Sequence, residues 1–131
     1  MTNSSLLYTA AACFFIAGIP IWRVPASAGD PPATAFLPGL LAIAIAALAH
    51  SAYRTAPFRR IALYLTLSFP AAILARIAVD VSRDPTSHNL WPLELIMTTL
   101  APIPFVLLGG AIGALLARVI NKPHDSEKPN K

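Results

Sequence analysis

The sequence predicts an all-α integral membrane protein, a bundle of four transmembrane helices without a soluble domain. Three observations carry this expectation. Hydrophobic residues make up 56% of the 131 positions and charged residues only 12%, against about 25% charged in soluble domains, so polar groups are too few to cover a water-facing surface. The apolar residues collect into four runs of spanning length. No run alternates with a period of two, which argues against a membrane β-barrel. Helices then remain as the structure that satisfies its own backbone in hydrocarbon.

The runs are 6–22, 36–53, 61–81 and 92–120. A spanning helix needs about 20 largely apolar residues, and the first two sit at the short end of the range. Cys13 lies inside the first run and cannot form an internal disulfide, since the chain has one cysteine. It reads as a small buried hydrophobe. Ala26, Ser27 and Ala28 resemble a signal-peptidase site, but no basic residue precedes the first apolar run and Arg23 intervenes. The first run is therefore expected to stay as a membrane helix. The third run is interrupted by Arg76 and Asp80. The fourth is longer than a span requires and contains Pro102 and Pro104, each of which removes a backbone donor. A long, proline-kinked helix is expected there. Residues 1–120 read as one transmembrane domain. Residues 121–131, polar with two prolines and five charges, read as a disordered cytoplasmic tail.

The net charge of +4 does not point to nucleic acid, because the basic residues fall between and after apolar runs rather than on one face. They set topology instead. Arg54, Arg59, Arg60, Arg118, Lys122, Lys128 and Lys131 lie on one side, and Arg23 and Arg83 on the other. The positive-inside rule places the richer side, and with it both termini, in the cytoplasm, which locates the chain in the plasma (inner) membrane as a multi-pass protein. Trp22 and Trp91 fall at the expected outer boundary, and Tyr8, Tyr53 and Tyr64 near the inner one.

Lipid is as apolar as leucine, so small residues that admit close backbone approach govern helix association. Gly109, Gly113 and Ala117 recur at four-residue spacing and mark a packing face. Whether it meets a helix of the same chain, a second copy or another membrane protein is open at this level. Ala42, Ala46 and His50, and Ala71 with Ala75, form weaker ridges.

Charge concentrates at the outer ends of the third and fourth runs, where Arg76, Asp80, Arg83, Asp84, His88 and Glu94 form a polar cluster. An ionisable group within a span costs at least about 2.5–3.5 kcal/mol at the bilayer centre, so Arg76 and Asp80 are the least casual choices in the chain. Four residues apart, they share a helix face and suit an ion pair. The competing use is a polar pocket open to the outer side. Asp84 before Pro85 suits a turn or cap. Glu94, two residues after Pro92, falls near a helix start, where a carboxylate complements the dipole. His88 with Asp84 and Glu94 matches no tight metal spacing, and no metal site is expected. His50 and His88 sit on opposite sides, so they do not share a haem. No phosphate-cradling Gly loop, Cys pair or HExxH arrangement is present, and the sequence names no cofactor. Three function classes remain: an accessory or scaffold component of a membrane complex; a small transporter or channel with Arg76 and Asp80 near its pathway; and a membrane enzyme using the outer polar cluster.

Overall fold

The computed structural model describes residues 3–25, 28, 31–86 and 90–120. The chain there is helical, with no strand among the described residues: α1 (Asn3–Trp22), α2 (Ala33–Ala52), α3 (Phe58–Arg83), α4 (Trp91–Leu100) and α5 (Ile103–Ile120). Four spans, with α4 and α5 forming the last, are long and apolar enough to cross a membrane. Residues 121–131, expected as a disordered tail, and His88 lie outside the described residues.

Inter-helix contacts fix the directions. Thr9 near the start of α1 meets His50 near the end of α2, whereas Ile21 at the end of α1 meets Arg76 late in α3. Gly109 lies on Ala44 and Gly113 on Leu48, so α5 runs parallel to α2. The spans therefore alternate in direction. The start of α1, the α2–α3 connection and the end of α5 share one end of the molecule, which carries Arg54, Arg59, Arg60 and Arg118. That end is called the basic end below.

α1 and α3 each bury one stripe. On α1 it is Leu6, Ala10, Cys13, Ala17 and Ile21, the spacing of a 3.6-residue repeat. On α3 it is Ile61, Leu65, Ser68, Ala72 and Arg76, with Phe69 filling the centre of the core. The Ala71–Ala75 ridge expected from sequence is not the packing face: Ala71 is exposed and Ala75 half-buried, because the larger side chains of the adjacent stripe take the interior. Leu7, Phe15, Ile45, Leu67, Leu108, Leu115 and Val119 point outward, as they do where lipid is the solvent.

The tightest approaches are at glycine. A Cβ on Gly39 would come within 2.8 Å of the Ala17 Cα, so α1 and α2 touch backbone to side chain there. A Cβ on Gly109 would strike the Ala44 carbonyl, and one on Gly113 the Leu48 carbonyl, with Ser51 Cβ at 2.8 Å. Ala117, one turn further on, is also buried. The partner of the Gly109/Gly113 face is thus α2 of the same chain.

The fourth span, Trp91–Ile120, is as long as expected and is interrupted at its prolines, with a turn at Ala101 and Pro102 between α4 and α5. The prolines deprive the carbonyls four residues earlier, at Thr98 and Leu100, of their donors. Pro104 then stands in the first turn of α5, where its missing N–H has no intrahelical partner to lose.

At the end of α2, the Arg54 amide donates to the Ser51 carbonyl and the Thr55 amide to the His50 carbonyl. This is a Schellman closure. Its left-handed position, at φ 49°, holds Arg54 where glycine is usual. That conformation costs a non-glycine residue about 1 kcal/mol.

Because backbone must move to admit a side chain at the α2–α5 crossing, Gly113→Leu is expected to cost about 3 kcal/mol, the upper end for overpacking. Ala12→Leu, on the exposed face of α1, should leave stability within about 0.5 kcal/mol. Thermal unfolding of both variants in mild detergent checks the difference.

Candidate functional site

The charged residues of the third span resolve into a lock between α1 and α3. Arg76 Nε donates to Asp80 Oδ2 at 3.2 Å, and the two side chains are 7% and 12% exposed, low enough that the pair is a buried one. Helical side chains lean toward the N-terminus, which brings the carboxylate back over Arg76. Arg76 Nη1 also donates to the Ile21 carbonyl at 3.3 Å. That carbonyl is short of a partner for a reason written in the sequence: the residue four positions on is Pro25, which has no N–H. It receives only a tighter bond from the Val24 amide at 3.2 Å. The guanidinium therefore completes the end of α1.

A second bond runs the other way. Trp22 Nε1 donates to the Ala72 carbonyl at 2.9 Å. The indole folds back along its own helix over Gly18, where any Cβ would collide with the ring, and packs edge-on against Phe14 at 5.3 Å between centroids. Trp22 is thus half-buried with its polar atom used inside the protein. Trp91 remains exposed.

The rest of the expected cluster does not converge on this pair. Arg83 and Asp84 are exposed. Asp84 ends α3, and its Oδ1 accepts from Thr86 Oγ1 at 2.7 Å and from the Thr86 amide at 2.9 Å. These bonds, the hydroxyl first and the amide second, hold its carboxyl below the usual carboxylate range. Asp84 thus closes a turn. Glu94 stands one residue deeper in α4 than the sequence suggests, because α4 begins at Trp91 with Pro92 second. Its amide is already bonded to the Leu90 carbonyl at 3.1 Å. Leu90, the residue before the helix, makes no side-chain cap.

At the basic end, His50 ties α2 to α1. Nε2 lies 3.0 Å from Thr9 Oγ1 and Nδ1 lies 2.6 Å from Thr55 Oγ1. Thr9 Oγ1 also donates to the Ser5 carbonyl at 2.9 Å and Thr55 Oγ1 to the His50 carbonyl at 3.4 Å, so each hydroxyl joins the ring to a backbone oxygen. Both ring nitrogens are engaged, which leaves neither for a metal or haem. No group of His, Cys, Asp or Glu residues able to hold a metal occurs among the described residues.

The sequence reading missed Trp22, Pro25 and Thr9 as parts of these locks. Pro25 four residues beyond Ile21 is the signal that could have exposed the first, since it announces an orphaned carbonyl near an intramembrane arginine. The chain matches no protein-family model, no curated protein and no solved structure.

Two outcomes follow. Asp80→Asn leaves a buried guanidinium without its counter-charge and should cost about 3 kcal/mol, whereas the double variant Arg76→Met/Asp80→Asn should recover part of that loss; detergent-unfolding curves of the two decide it. Thr86→Val removes the hydroxyl but not the amide. The Asp84 carboxyl should then titrate closer to its ordinary range, read by carbon-13 NMR. The sign follows from linkage: a carboxylate held low in the folded chain contributes stability above its unfolded pKa and loses it as pH falls through the folded one.

Proposed function

We propose that this chain is an accessory or scaffold component of a larger membrane complex, lying in the plasma (inner) membrane with both termini in the cytoplasm. The observation that carries this reading is the bonding of Arg76. The charge that would mark a transport pathway is spent on Asp80 and on the Ile21 carbonyl of α1, which supports use of the pair in holding helices in register. The polar residues around it do not assemble the nucleophile, base and oxyanion donors that a catalytic site requires. By contrast, α4 has no buried residue and presents Trp91, Leu93, Ile96, Met97 and Leu100 outward, a helix-sized apolar face suited to a partner helix. The orientation is supported by charge: among the described residues, Arg54, Arg59, Arg60 and Arg118 share one end and Asp80, Asp84 and Glu94 lie at the other.

Native mass spectrometry of the tagged chain, extracted gently from its own membranes, should show a stoichiometric second protein. A bare monomer or homo-oligomer with full loss of a solute flux in Asp80→Asn proteoliposomes would overturn the reading in favour of transport. In a Cys13→Ala background, Ser82→Cys should react with an impermeant maleimide in intact cells, and Arg59→Cys only after permeabilisation. The reverse pattern would invert the orientation.

A further inference from the structure

A concavity lies at the basic end, away from the Arg76–Asp80 lock. It is an open pocket of about 680 Å³ between the α2–α3 connection and α5, within the size range of small-molecule sites. Its polar side is Arg54, Arg118 and Ser51; its apolar side includes Phe58, Leu107 and Ala114. The Phe58 ring lies against Gly110, where a Cβ would meet its Cζ at 3.0 Å, so the apolar wall is built in and not incidental.

Four features point to the same ligand chemistry. Two arginines, the side chain suited to bidentate grip of phosphate, line one pocket, and every carboxylate among the described residues lies at the opposite end of the molecule. Ser51 Oγ is buried with no hydrogen-bond partner, although buried hydroxyls are normally bonded. Phe58 opens α3, and no side chain caps that helix, so its positive end lies at the rim. Arg54 is held in a left-handed conformation that glycine would adopt without strain, and strain of this kind is kept where a side chain is needed in place. The pocket opens beside a helix surface carrying exposed Leu107, Leu115 and Leu116.

We infer that this pocket binds an anionic phospholipid, its phosphate held by Arg54 and Arg118 beside Ser51 and one acyl chain lying over Phe58, Leu107 and Ala114. Basic pockets between spans on the positively charged side of a membrane protein take headgroups of this kind. The apolar wall selects a lipid over a soluble phosphate, which would leave that wall uncovered. The inference rests on insertion of the chain in a bilayer, and sedimentation with alkali-washed membranes tests that insertion separately.

The experiment is thermal unfolding of the detergent-extracted, delipidated full chain with added phosphatidylglycerol, phosphatidylcholine or inorganic phosphate. Phosphatidylglycerol should raise the midpoint in a saturable way, and the other two should not. Arg54→Gly/Arg118→Gln should weaken the apparent affinity about 30-fold, at about fivefold per arginine. Its lipid-free midpoint should be no lower than that of the wild type, because glycine at position 54 relieves the left-handed strain. Ala114→Leu, which fills the apolar wall and leaves both arginines, should weaken binding as well. An equal shift with phosphatidylcholine would overturn the proposal in favour of a bulk lipid belt. An equal shift with inorganic phosphate would overturn it in favour of a soluble anion. Undiminished phosphatidylglycerol binding by the double variant would remove the site altogether.

Discussion

Where lipid replaces water, burying leucine against leucine gains little, and helices hold together by close packing and by bonds between their polar groups. This fold shows such close packing at two crossings of α2. Gly39 lets α2 lie against Ala17 of α1, and Gly109 and Gly113 let α5 lie against the bare carbonyls of Ala44 and Leu48. With α2 held from both flanks, the buried stripes of α1 and α3 close over Phe69, and the rest of the large apolar side chains are left for the exterior.

Prolines then decide where polar groups are needed. Pro25 leaves the Ile21 carbonyl with the Val24 amide alone from its own chain segment, and Arg76 reaches from α3 to add a second bond. Pro102 and Pro104 interrupt the fourth span, which turns at Ala101 and Pro102 between α4 and α5. Thr98 and Thr99 turn their hydroxyls back onto the carbonyls of Glu94 and Leu95, within α4. An arginine inside a span thus has a local explanation: it stands opposite a carbonyl that lost its donor, and Asp80 balances its charge. The net energy of such a pair is small; its value is in setting the register of α3 on α1, with the Trp22–Ala72 bond as the reciprocal tie.

The two ends of the molecule are built to different rules. At the Asp80 end, Arg76 and Asp80 are paired and Asp84 is used in a turn. At the basic end, His50 is fully bonded to Thr9 and Thr55, while Arg54 and Arg118 line an open pocket beside an unbonded serine hydroxyl. The first arrangement closes the structure on itself. The second leaves two arginines lining an open concavity.

The sequence by itself determined the class of fold, the count of spans and their limits to within a few residues, because run length and the absence of period-two alternation are local properties of the chain. It also determined that Arg76 and Asp80 would meet, since they sit one turn apart on the same helix, and that Cys13 would be buried in the apolar stripe of α1. Only the tertiary structure decided which helix the Gly109/Gly113 face would meet, that Ala72 and not Ala71 would face the core, that Arg76 would find a second acceptor 55 residues away, and that Arg54 and Arg118 would share a pocket. The His50 network and the left-handed Arg54 were likewise illegible. The reason is common to all of them: each depends on side chains and carbonyls from different helices arriving at one point, and periodicity along one helix says which face is apolar but not what lies across from it.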